Sequence, residues 1–261
     1  MNIYNKLLIL FFAFSLISCE EVIDINLNDV DPKIVIEGDI NNLSSVQNIR
    51  VSRTVPFDAV INSEPIPNAS VVVESQNGTR YTFRHTNNGI YQHRNFNPME
   101  KINYTLTVTV DDEAFQATSQ MPTYVEVDSL GIVEEKLFDS LYYFINLKFL
   151  DPINQPNFYK YNVSVNGGPY SFSTVFSDKF NDGLNVTHQI TNSKNDLALG
   201  DSLIIRRYSI DASTYKYWSD VQSINPGSAA PANPKSNITN GALGYFSVSS
   251  AKELSVKIAL Q

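Results

Sequence analysis

The chain has 261 residues, 43% of them apolar, and a formal charge of −8. That supplies core for one large domain or two smaller ones, and the acid excess argues against nucleic acid and anionic membrane surfaces as partners. A single cysteine, Cys19, excludes an internal disulfide, so the body must be held by its core alone.

Lys6 precedes the apolar stretch Leu7–Phe14, and Leu16-Ile17-Ser18-Cys19 closes the segment. A basic start, a short apolar run and small residues before a cut describe a secretory signal. The run is too short to span a bilayer, which takes about 20 apolar residues. With cysteine at the cut it resembles a bacterial lipoprotein signal. Residues 1–18 are then removed, and Cys19 carries lipid on its sulfur and its amine. Loss of Lys6 takes the charge from −8 to −9. Two or more acyl chains give a lasting anchor, so the expected membrane partner is reached through Cys19. Residues 19–31, with Glu20, Glu21, Asp24 and Asp29, read as an acidic tether. In Bacteroidota lipoproteins, acidic residues at this place resemble an export signal. The expected location is the outer membrane, with the cell surface favoured over the periplasmic face.

From residue 32 the pattern is β. Ile34 and Ile36 alternate with Lys33, Val35 and Glu37; Ile49, Val51 and Arg53 follow, then Val71-Val72-Val73, Tyr81 and Phe83. Tyr104, Leu106, Val108 and Val110 alternate with threonines, and Phe115, Ala117 and Ser119 close the series. A period of two marks strands with one buried face. Asn77-Gly78, Asn87-Asn88-Gly89 and Asp111-Asp112 are hairpin signals. Residues 32–122 therefore read as an N-terminal β-sandwich. Pro65–Val73 resembles the opening of an Ig-like or carboxypeptidase-regulatory-like module.

Met121-Pro122 marks a boundary, because proline cannot donate to a ladder. Residues 123–261 read as a second β-rich domain. Strands are expected around Tyr143–Phe149, Tyr159–Val165, Phe172–Phe176, Leu203–Ile205, Tyr245–Val248 and Leu254–Ile258. One short helix is predicted over 211–224: Asp211 is an N-cap, Tyr217, Trp218, Val221 and Ile224 recur at helical spacing, and Asn225-Pro226-Gly227 stops the run. Trp218 is expected to anchor that helix on the sheet. Residues 231–246, rich in Pro, Asn and Gly, form a long connection.

No nucleophile elbow, phosphate-binding loop or dinucleotide fingerprint occurs. No catalytic residue, metal ligand or cofactor is therefore assigned, and an enzyme is not expected. His85 and His93 flank one hairpin signal but lack the further ligands zinc needs, and read as surface residues. Asp178–Gly183 carries oxygen ligands near a glycine, but lacks EF-hand spacing and its final Glu, and reads as a turn held by Asn and Asp side chains. Asp128-Ser129-Leu130, Asp139-Ser140-Leu141 and Asp201-Ser202-Leu203 share one form. It resembles the O-glycosylation acceptor of exported Bacteroidota proteins, at Ser129, Ser140 and Ser202. The plainer reading is a strand start, with Asp-Ser at the turn and Leu entering the core.

The order of Cys19, Pro32–Gly38, Ser52-Arg53-Thr54, Pro67–Val71, Phe180–Gly183, Tyr208–Asp211, Tyr217-Trp218, Pro231–Pro234 and Gly241–Phe246 spans nearly the whole chain after the signal. Together these segments resemble the Bacteroidota lipoproteins classed as domain of unknown function 4249. Genes of that family often neighbour TonB-dependent outer-membrane receptors. The resemblance thus implies an accessory or binding lipoprotein working with such a receptor in ligand capture or uptake, and supplies no catalytic residue. Tyr170, Phe172, Asn233, Asn237 and Tyr245 are the candidate contact surface, since aromatics beside long loops serve recognition. The alternative is a structural or adhesive surface module with no transport role.

Overall fold

A computed structural model describes residues 31–56, 59–224 and 233–259. The signal segment, Cys19 and the tether up to residue 30 lie outside the described residues, as do the helix-stop residues 225–227 and the loop residues 231 and 232.

The fold is mainly β with one short helix, as the alternation predicts. In the first half the strands are β1 (Ile34–Asn41), β2 (Gln47–Arg53), β3 (Glu64–Pro65), β4 (Ser70–Ser75), β5 (Arg80–Asn87), β6 (Ile90–His93), β7 (Asn103–Val110) and β8 (Glu113–Gln120). The second half adds β9 (Ser129–Leu137), β10 (Ser140–Leu150), β11 (Phe158–Val165), β12 (Ser171–Ser177), β13 (Asn185–Ile190), β14 (Ser202–Ile210), the helix α1 (Ala212–Ser223) and β15 (Leu243–Lys257). Each predicted hairpin signal sits at a turn. Asn88 and Gly89 have φ of 47° and 72°, and Asp111 and Asp112 have 49° and 66°. Two successive positive φ values match the right-handed twist of the flanking strands, and Asn, Asp and Gly adopt them at least cost.

One sheet of 12 strands runs β12-β11-β14-β15-β1-β2-β6-β5-β4-β7-β8, with β3 beside β2; a second runs β13-β10-β9. In the first half the large sheet curls over itself. Ile36, Ile40, Ile49 and Val51 face Val71, Val73, Leu106 and Val108, and Phe246 and Val248 of β15 complete that core. In the second half the three-stranded sheet covers β11, β14 and the end of β15. Ile145, Leu147 and Phe149 pack there with Tyr159, Tyr161, Val163 and Ile205.

β15 belongs to both halves. Leu243–Ser249 pairs in parallel with Val35–Asn41 of β1, and Ser250–Lys257 pairs antiparallel with β14. Sequence reading expects two strands here, at 245–248 and 254–258, and places everything after residue 122 in the second unit. The structure instead runs a single strand through the junction and gives its first seven residues to the first core. The interruption in the apolar pattern is Ser247, Ser249 and Ser250, which are buried at the junction of the two pairings of β15. Gly244 opens the strand at φ 88°, where a Cβ would lie 2.1 Å from the Ile36 carbonyl oxygen. Only glycine fits so close a backbone approach.

Candidate functional site

The helix α1 lies on the outer face of the large sheet, and the most elaborate side-chain cluster on an accessible face forms beneath it. Asp211 caps the helix, its Oδ1 accepting the Thr214 amide at 2.8 Å. Its Oδ2 accepts from Ser119 Oγ of β8, and Ser119 Oγ in turn accepts the Val248 amide at 2.9 Å. The cap therefore joins the helix to β8 and β15. The predicted stripe is only partly seated. Thr214 is buried and Tyr215 and Trp218 pack on the sheet, while Ile224, expected on the buried face, is 42% exposed. The helix has ended by Ile224, so the extrapolated stripe leaves the sheet there.

Lys160 of β11 sits at the centre of this cluster. It is 1% exposed, and its Nζ donates to Asp39 Oδ2 of β1 at 2.7 Å. Its ammonium lies 4.6 Å from the centroid of Tyr208, 4.9 Å from that of Trp218 and 6.0 Å from that of Tyr245. An ammonium over aromatic faces and beside a carboxylate regains part of the solvation it loses on burial. Trp218 stacks on Phe172 at 4.6 Å and meets Tyr245 edge-on at 5.3 Å, and Tyr217 covers Tyr245 at 4.7 Å. Glu37 stands opposite Tyr245 in the β1–β15 register, half exposed. Burial, reinforced by the charge of Asp39, holds the Tyr245 hydroxyl well above the ordinary tyrosine range, so it remains a neutral donor. The result is a ledge of rings packed on one another and edged by Glu37 and Asp39, with a partly exposed rim.

The candidate contact residues divide around this ledge. Phe172 and Tyr245 enter it through Trp218. Tyr170 lies along the same face, its hydroxyl donating to Glu253 at 2.9 Å and its ring 3.6 Å from the Arg206 guanidinium. Asn233 is exposed. Asn237 turns inward: its amide nitrogen donates to Ser213 Oγ and the Phe246 carbonyl, and its Oδ1 accepts the Phe246 amide. Lys160, Asp39 and Tyr208 were not singled out from the sequence. The signal was Lys160 between Tyr159 and Tyr161, a lysine whose outward face is later covered by a helix.

Behind the same strands lies a buried polar network. Arg207 is 0% exposed, its Nε donating to Tyr161 Oη at 3.0 Å and its Nη1 to the Val125 carbonyl. Phe149 and Tyr159 each stand 4.4 Å from the guanidinium. His188 of β13 contacts Tyr161 Oη through Nδ1 at 2.8 Å and stacks on Phe176. Burial first, then the charge of Arg207, push the His188 pKa down to about 3. His85 and His93 do not approach each other as a pair: His85 stands opposite Tyr91, and His93 opposite Gln47.

Ser129, Ser140 and Ser202 each open a strand and are exposed. Leu130 and Leu203 enter the second core as the strand-start reading expects, whereas Leu141 is 47% exposed at a hairpin end.

A family-wide profile, described as a domain of unknown function (DUF4249), matches residues 20–255. The chain belongs to the DUF4249 family. The match covers the tether, both halves and nearly all of β15, so the ledge and the shared strand lie inside the family's common region. No curated protein matches the chain.

Proposed function

We propose that the protein is a lipid-anchored outer-membrane accessory or binding protein that works beside a TonB-dependent receptor in ligand capture or uptake. The observation that carries the reading is the ring-and-carboxylate ledge formed by Trp218, Tyr217, Tyr245, Phe172, Glu37 and Asp39 on the face that bears α1. Its partly exposed aromatic edges beside carboxylates are the kind of rim that a partner surface contacts. Cys19, in its lipoprotein-signal setting, supplies the anchor. Catalysis is no part of the proposal. His188 is enclosed and neutral, and Arg207 is committed to internal bonds, so neither is offered to a substrate. Glycosylation of Ser129, Ser140 and Ser202 belongs to the same proposal, since all three hydroxyls are at the surface.

The test is purification of the lipidated protein in mild detergent, with and without crosslinking. Co-purification of a large β-barrel receptor, reduced by Tyr217→Ala, supports the reading. Isolation of the protein alone, also after crosslinking, overturns it. Cys19→Ser should move the protein from the membrane to the soluble fraction. A structural or adhesive role is favoured by a different observation, the shared strand that ties the halves into one sheet. An adhesive module would bind surfaces without the receptor.

A further inference from the structure

Two loops that are separate in sequence meet at the end of the second half. Asp151 follows β10, and Asp178 and Asp182 lie between β12 and β13. One carboxylate oxygen from each of the three lies within 4.8 Å of the others. Asp151 is 2% exposed and Asp178 8%, whereas Asp182 opens to solvent. The scaffold fixes one oxygen of each residue. Asp151 Oδ1 accepts from Tyr159 Oη at 2.5 Å, Asp178 Oδ2 from the Asn157 amide at 2.8 Å, and Asp182 Oδ1 from the Asn154 amide at 2.9 Å.

Asp151 Oδ2 is buried with no hydrogen-bond partner among the described residues. The Gly183 amide faces this carboxylate without closing a bond of ordinary geometry. Among the described residues no lysine or arginine forms an ion pair with any of the three. Three uncompensated carboxylates, two of them buried, are costly unless something positive sits between them.

We propose that Asp151, Asp178 and Asp182 form a calcium site. All three donors are oxygens, which suits a hard cation. With every pair of oxygens within 4.8 Å, a point central to the three lies at most about 2.8 Å from each, within reach of calcium–oxygen bonding. Magnesium demands stricter octahedral order and dehydrates reluctantly, which a partly rigid, carboxylate-only triad suits less well. Asp182 gives the entry path, and backbone carbonyls or water complete the shell. The ion would tie the loop after β10 to the loop after β12. Those loops carry Ile153, Phe180 and Leu184, which are 69%, 84% and 55% exposed, so calcium would set the placement of an apolar surface.

Terbium luminescence tests the site, because Tyr159 bonded to Asp151 is positioned to sensitise a bound lanthanide. The full chain in detergent should show tyrosine-excited terbium emission that calcium displaces. Asp182→Asn, at the exposed member, should weaken terbium and calcium binding about ten-fold or more, since charge count sets affinity in such sites. Glu134→Gln, on the exposed part of β9, should leave binding unchanged. Asp151→Asn should abolish binding in protein whose circular dichroism remains native. Absence of sensitised emission overturns the site. So does emission unaffected by Asp182→Asn, or displaced as readily by magnesium as by calcium.

Discussion

The first core is built from aliphatic and aromatic side chains: Ile36, Ile49, Val71, Leu106 and Phe246 meet with no fully buried charge among the described residues. The second encloses Arg207 and His188, with Asp151 at its edge, among Tyr159, Tyr161 and Phe149. The two halves share a strand, yet they fail differently. An apolar core loses transfer energy and packing in proportion to the volume removed. A buried polar network strands the remaining partners when one member goes.

Arg207→Ala should therefore be the most damaging change, with a loss of about 3–5 kcal/mol because Tyr161 and the Val125 carbonyl lose their donor. Leu106→Ala in the first core should cost about 2–5 kcal/mol. Urea denaturation measures both. The contrast breaks if Arg207→Met, which keeps volume but not the donors, restores most of the stability lost in Arg207→Ala, for then lost packing accounts for the effect.

Acid sharpens the same contrast. His188 has a folded-state pKa of about 3, below its ordinary value of 6.5, so the unfolded chain binds the proton first. Its contribution is complete above about pH 6.5 and is lost as pH falls toward 3, at about 1.4 kcal/mol per pH unit. Asp151, held above the ordinary carboxylate range, acts in the opposite sense. His188→Phe should flatten the decline between pH 6.5 and 4.5, as denaturation midpoints would show. An unchanged slope would remove His188 from the account.

Smaller effects belong to the contacts that join the halves. Asp211→Ala removes the helix cap and the acceptor for Ser119, and should cost about 1–2 kcal/mol by urea denaturation. Tyr217→Ala, on the rim of the ledge, should change stability by no more than about 1 kcal/mol in the same assay while removing part of the stacking surface over Tyr245.

This contrast also explains what the sequence reveals. Strands of the first half announce themselves because their inward positions are apolar: Tyr104, Leu106, Val108 and Val110 form an unbroken alternation. β13 escapes because its inward residues are Val186, His188 and Ile190, and a histidine in the middle position breaks the pattern. β9 escapes because Gly131 interrupts it and its far end, with Glu134 and Lys136, is exposed. At the ledge, Trp218 is legible as the anchor of the helix and Phe172 and Tyr245 as strand aromatics, but their meeting over Lys160 depends on long-range strand pairing. No local pattern encodes a parallel pairing between Val35 and Leu243. The acidic triad is hidden for the same reason, since Asp151 joins Asp178 through the pairing of β10 with β13 and of β11 with β12.

The shared strand sets an order of assembly. In chain order all fourteen other strands precede β15, and β1 waits with one edge open for about two hundred residues before its partner exists. Closing so long a loop is slow, and until it closes neither half of the large sheet is finished. When Leu243–Lys257 does dock, one event seals both halves. A chain that stalls short of it presents two open edges at once, and is open to capture by chaperones or by other chains.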